Sequence, residues 1–100
     1  MTVQDKLKTE KAREIIRGGN LTYVGMFGSF AKGLQNKKSD VDILFNYNKD
    51  KKFSLFDMVD IQEQFEELLG RKVDFVPING IKKEIKEEVL NSVIDIYGQR

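Results

Sequence analysis

Gly28-Ser29-Phe30-Ala31-Lys32-Gly33 and, after a short loop, Ser39-Asp40-Val41-Asp42-Ile43-Leu44 decide how this chain is read. The first stretch follows Leu21 to Phe27, a short apolar run with Thr, Tyr and Val, which has the composition of a strand. Gly28 then provides a turn, Ser29 to Lys32 a short helix, and Gly33 its stop. Leu34 to Lys38 is a polar loop. Val41 to Phe45 reads as a second strand, and its mostly apolar run implies burial on both faces. The link from Phe27 to Val41 is short for a full helical crossover, so the two strands are expected to be antiparallel.

Side chains alternate along a strand, so Asp40, Asp42 and Leu44 share one face. At a rise of ~3.3 Å per residue the two carboxylates lie roughly 7 Å apart and suit a pair of hard cations. Without metal they repel and raise one another's pKa. A third acid, Asp74, sits in Lys72-Val73-Asp74-Phe75-Val76. If that strand lies beside the second, Asp74 completes a three-carboxylate set suited to magnesium, which keeps positions open for water and phosphate. Two such ions, about 4 Å apart, stabilise both the attacking and the leaving oxygen of an in-line phosphoryl displacement. Gly28 lets the backbone approach a triphosphate, the Ser29 hydroxyl and the following helix start donate to it, and Lys32 adds positive charge.

Each signal has an ordinary structural reading. Gly28-Ser29 alone is a turn, Ser39-Asp40 alone an Asx turn entering a strand, and Asp74 alone an exposed edge residue or ion-pair partner. Their conjunction favours the site, because a carboxylate inside an apolar strand is costly unless paired or metal-bound. Phe27, Phe45, Phe53, Phe56, Phe65 and Phe75 are expected in the core, Tyr23 and Tyr97 in structural roles, and Lys49, Lys51 and Lys52 in a solvated loop.

Outward from these stretches, Thr2 with Asp5 reads as a capping box. The helix it opens carries Val3, Leu7, Ala12, Ile15 and Ile16 and ends at Gly18-Gly19. Ser54 with Asp57 repeats the spacing ahead of a helix whose stripe runs Leu55, Met58, Val59, Gln62, Phe65, Leu68 and Leu69, with Gly70 as its stop. Lys72 to Val76 is a third strand, closed by Pro77. Asn79 caps a fourth helix with Ile81, Ile85 and Val89 on one stripe, and Lys83 and Glu87 on its solvated face. Val93 to Tyr97 adds an edge strand. The expectation is one domain over residues 1–100, of the α/β (α+β) class, with a small mixed sheet of three to four strands and about four flanking helices.

Composition narrows the chemistry. The 100 residues hold 17 basic and 16 acidic side chains, net +1, without the basic excess of a dedicated duplex-DNA binder. There is no cysteine or histidine, which removes disulfides, thiolate and zinc–histidine sites, and histidine acid–base catalysis. The charged stretch from Met1 to Arg17 has no apolar signal core and no run approaches a membrane span, so a cytoplasmic protein is expected. A core of this size leaves little for an acceptor pocket, which points to a second chain.

Taken whole, Gly28-Ser29-Phe30-Ala31-Lys32-Gly33 to Ser39-Asp40-Val41-Asp42-Ile43-Leu44 resembles the signature of the polymerase-beta-like nucleotidyltransferase superfamily, and Asp74 matches its third carboxylate. The size and the segment from Ser54 to Pro77 resemble the minimal nucleotidyltransferases, which are commonly paired with an all-helical HEPN protein. Several such pairs are toxin–antitoxin systems in which the nucleotidyltransferase, as antitoxin, transfers AMP from ATP to a tyrosine of the toxin. The resemblance implies the nucleotidyltransferase fold, ATP as substrate and two Mg2+ ions on Asp40, Asp42 and Asp74. It implies a proton-accepting role for Asp74, and Gly28, Ser29 and Lys32 around the triphosphate. The chain departs from the family at Phe30 and Lys32, where members often carry Arg. Two other readings stay open: a non-catalytic antitoxin acting by contact, and a small-molecule nucleotidyltransferase, though the aminoglycoside-modifying kind carries a further helical domain.

Overall fold

Four strands pair in the order β3-β2-β1-β4, and three helices cover one face of the sheet they form. The computed structural model describes residues 1–100. In chain order the elements are α1 (Val3–Leu7), α2 (Glu10–Gly18), β1 (Leu21–Phe27), α3 (Gly28–Lys32), β2 (Val41–Tyr47), α4 (Leu55–Leu69), β3 (Val73–Pro77), α5 (Lys83–Ser92) and β4 (Ile94–Gly98). β1 runs antiparallel to both β2 and β4, as the short link before Val41 requires, while β2 and β3 are parallel and joined through α4. The sheet is therefore mixed, the class expected.

On the first face Val24, Met26, Ile43, Phe45 and Phe75 pack against Leu7 of α1, Ile16 of α2 and Ile61, Phe65 and Leu69 of α4. Phe45 and Phe75 stack with centroids 3.9 Å apart, fixing β3 beside β2. The second face is only partly covered: Tyr23, Leu44 and Val89 form a small cluster under α5. The Tyr23 hydroxyl donates to Asp95, which satisfies the phenol inside that cluster. Burial, then the Asp95 contact, drives its pKa well above the usual phenol range. No helix is long and apolar enough to cross a membrane.

Several expectations are corrected. The first helix is two: Thr9 caps α2 by accepting from the Ala12 amide, while its hydroxyl donates to the Lys6 carbonyl, so the chain turns between Leu7 and Glu10. That split gives five helices rather than about four. Asn79 caps nothing; Ile78–Gly80 form a 3-10 turn and α5 starts at Lys83, after Lys82, with no side-chain cap. Phe56 is 87% exposed, not core, and Leu55 and Val59 are exposed beside it. The inner face of α4 instead runs Met58, Ile61, Phe65 and Leu69, one step round from the stripe drawn through Leu55 and Val59. The capping box at Ser54 and the left-handed stop at Gly70 form as read. Lys49 is exposed but not idle, lying 3.4 Å over the Tyr47 ring.

Candidate active site

Three strand ends meet at one end of the sheet because of the strand directions. The antiparallel β1–β2 pair sets Phe27, the last residue of β1, opposite Asp42. The parallel β2–β3 pair sets Asp74 opposite the same Asp42. Paired residues share a face, so Asp42 and Asp74 project together from the partly covered side of the sheet. Asp40 stands just before β2, near enough for its charge to act on Asp42.

Gly28 is held against this group. Its φ of 71° is left-handed, and a β-carbon there would run into Oδ2 of Asp42. Only glycine lets the backbone turn out of β1 and pass that carboxylate on its way into α3. α3 opens after Phe27 without a side-chain cap, so no side chain claims the amides of its first turn. The helix closes at Gly33, in the left-handed region, whose amide bonds back to the Ser29 carbonyl.

Asp42 is half-buried, and its pKa is pushed up to about 6, first by loss of solvent and then by the charges of Asp74 and Asp40. An anion held in this way is stabilised by a cation. The donor set is all oxygen, which matches magnesium, and the glycine contact leaves the carboxylate free of side-chain crowding on that flank. As folded, however, the acids do not form a closed metal-ligand cluster. Asp74 is exposed, so the cost assigned to it from its apolar strand does not arise. The expected burial of two strand carboxylates holds only in part, for Asp42.

Lys32 is not free. Its ammonium lies 2.8 Å from Oε1 of Glu88 on α5, and this contact lowers the Glu88 pKa. Ser39 serves the loop: its hydroxyl accepts from the Asn36 amide at 2.9 Å, and Asn36 Oδ1 accepts from the Lys38 amide at 2.8 Å. The Asx turn suspected at Asp40 thus belongs to Asn36. Arg71 donates to the Ser39 carbonyl at 3.2 Å. Beside it a polar groove of about 570 Å3 runs past Lys37, Lys38, Asp40 and Lys72. A separate cleft of about 200 Å3, between α2 and α4, lies on the other face and holds none of these acids.

Neither Asn36 nor Arg71 belongs to the Gly-Ser and Ser-Asp-Val-Asp stretches. Asn36, in a loop before a Ser-Asp pair, carries the ordinary signal of an Asx turn. Arg71 follows the Gly70 stop and gives no sign that it reaches back to residues 36 to 39.

Residues 9–96 match the family model described as the nucleotidyltransferase domain. Protein adenylyltransferase MntA of Thermococcus cleftensis is 31% identical over 90 residues, covering 90% of this chain and 89% of that protein. Among solved structures, the fold is similar to that of a toxin–antitoxin crystal structure with AMP-PNP (TM-score 0.73, 20% identity, 90% of this chain and 73% of that one). It is similar also to the complex of the tri-AMPylated Shewanella oneidensis HEPN toxin with its MNT antitoxin (TM-score 0.68, 16% identity, 98% of this chain and 74% of that one). At those identities the two structures share the fold with this chain.

Proposed function

The chain belongs to the nucleotidyltransferase domain family, and from that premise we propose that it is the antitoxin of a small all-helical HEPN-type toxin and transfers AMP from ATP to a tyrosine hydroxyl of that partner. It is an enzyme of the nucleotidyltransferase class. The observation that carries the reading is the register that sets Asp42 against Asp74, with Gly28 in contact with Asp42. The name of the Thermococcus cleftensis relative and the AMPylated toxin in the Shewanella complex support the choice of AMP and of a HEPN acceptor.

Asp40, Asp42 and Asp74 would hold two Mg2+ ions, which neutralise charge along the attacking and leaving oxygens when bound. Gly28 and Ser29 orient the triphosphate through the uncapped start of α3. Lys32 reaches the phosphates once it leaves Glu88. Asp74, exposed at the mouth of the site, accepts the proton of the incoming hydroxyl. A bond forms between the acceptor oxygen and the α-phosphorus, the bond from that phosphorus to the β-phosphate oxygen breaks, and pyrophosphate leaves.

The test is the intact mass of the helical partner, encoded in a neighbouring reading frame, co-expressed with the wild type or with the Asp40→Asn, Asp42→Asn double variant. Added AMP is expected with the wild type alone, and peptide mapping should place it on tyrosine. A partner neutralised but unmodified in both cases makes the chain a contact antitoxin and removes the enzymatic proposal.

A further inference from the structure

We infer that Arg71 is a positioning residue that holds Asp40 in place for metal binding; the inference rests on the role proposed above for Asp40. Three segments carry the site: the α3 turn, the loop before β2, and the start of β3. Arg71 touches the first two from the third. Its Nη1 donates to the carbonyl of Ser39 at 3.2 Å and lies 3.4 Å from those of Asn36 and Lys37. Its guanidinium carbon sits 5.1 Å from the centre of the Phe30 ring on α3. The Ser39 carbonyl is one peptide before Asp40, so this contact fixes the peptide from which the Asp40 side chain departs.

The anchoring end is tied down by several hydrogen bonds. Gly70 closes α4 in the left-handed region. The Val41 amide bonds to the Lys72 carbonyl at 2.9 Å. From α4, Glu66 Oε2 accepts from the Val73 amide and Gln62 Nε2 donates to the Val73 carbonyl, both at 2.9 Å. These two bonds also satisfy the outward-facing amide and carbonyl of Val73, at the start of an edge strand with no neighbour on that side. Arg71 therefore extends from a fixed backbone to a loop that has mostly local hydrogen bonds of its own. Phe30, which stands where the family often has Arg, gains a role here: its ring supports the guanidinium.

The sign of the effect on metal separates positioning from simple charge. Arg71 is a cation beside a cation site, so by Coulomb's law alone its removal tightens metal binding. If it positions Asp40, removal weakens metal binding, as loss of outer-shell partners does at metal sites. The full chain would be compared with Arg71→Gln and Arg71→Lys by titrating Mn2+ and following the signal of the free ion by electron paramagnetic resonance. Expected for Arg71→Gln is a rise in the apparent Mn2+ dissociation constant of roughly tenfold or more, at an unchanged melting temperature. Arg71→Lys keeps the charge but has no plane to lie on Phe30, and should fall between; it carries the test if the Gln variant does not fold. Cleavage after Lys37 and Lys38 by a lysine-specific protease should quicken severalfold in the Gln variant. Mn2+ affinity that is unchanged or tighter, or unaltered cleavage, overturns the inference. If the wild type binds Mn2+ but modifies no partner, the proposed reaction fails and the positioning role is decided by the Arg71 variants alone. If it binds no Mn2+ at all, the positioning role fails, while the mass of the partner still decides the reaction.

Discussion

At the scale of single residues the site turns on one carboxylate. Asp42 is held half out of water between two other acids, and its pKa rises to about 6. The folded chain thus binds a proton there more tightly than the unfolded chain, whose carboxyl titrates at 3.8. The metal-free protein loses stability from this group as pH climbs from near 4 through about 6, and the charged form bears the full cost at pH 7 and above. Asp42→Asn should therefore stabilise the metal-free chain at pH 7.5 by on the order of 1 kcal/mol, after discounting for solvent screening. That corresponds to a melting temperature higher by roughly 4–8 °C, checked by calorimetry in chelator. The same variant should lose AMP transfer by about a hundredfold or more in a radiolabelled ATP assay. If Asp42 ligates metal as proposed, a proton competes for its oxygen, and the Mn2+ dissociation constant of the wild type should rise as pH falls below about 6, by up to tenfold per unit. A flat profile between pH 7 and 5 would take Asp42 out of the ligand set.

Among the elements, α4 shows how a helix can be recognised and still be turned wrongly. Its caps are local: Ser54 and Asp57 exchange hydrogen bonds at one end, and Gly70 takes a left-handed φ at the other. Its rotation is set by the sheet it meets. Ile61 is 2% exposed and Phe56 87%, though both are large and apolar and either could have faced inward on composition. Ile61→Ala should cost about 2–5 kcal/mol in chemical denaturation, through lost burial and a cavity. Phe56→Ala should change stability by less than about 0.5 kcal/mol. Equal effects would mean that the register of α4 against β2 and β3 is wrong. α1 and α2 teach the same lesson, since the break between them depends on one threonine hydroxyl choosing the backbone of its own turn.

For the molecule as a whole, the two faces of the sheet do different work. One is closed by α1, α2 and α4 and supplies most of the core. The other is covered only by α5 and the segment leading into it, with Ile78 and Ile81, and exposes Asp74 and Asp40 at its end. Lys32 and Glu88 join α3 to α5 across that open face. If the triphosphate draws Lys32 away, the pair opposes nucleotide binding. Glu88→Gln should then tighten ATP binding by roughly two- to fivefold at low salt, with the gain fading as ionic strength rises. Equilibrium titration with a fluorescent ATP analogue would measure it, and weaker binding in the Gln variant would show that Glu88 instead holds Lys32 in its working position.

The sequence by itself determined what depends on near neighbours: the strand at Leu21–Phe27, the turn at Gly28, the stop at Gly33 and the capping box at Ser54. Its motif also pointed to Asp74, without saying that β3 would lie parallel beside β2. Tertiary structure alone decided that register, the exposure of Asp74 and Phe56, the capture of Lys32 by Glu88 and the reach of Arg71 to the loop before β2. The physical reason is range. Caps, turns and alternation act over a few residues and leave a pattern in the chain, whereas burial and ion pairing depend on which distant surfaces meet when the sheet closes its core.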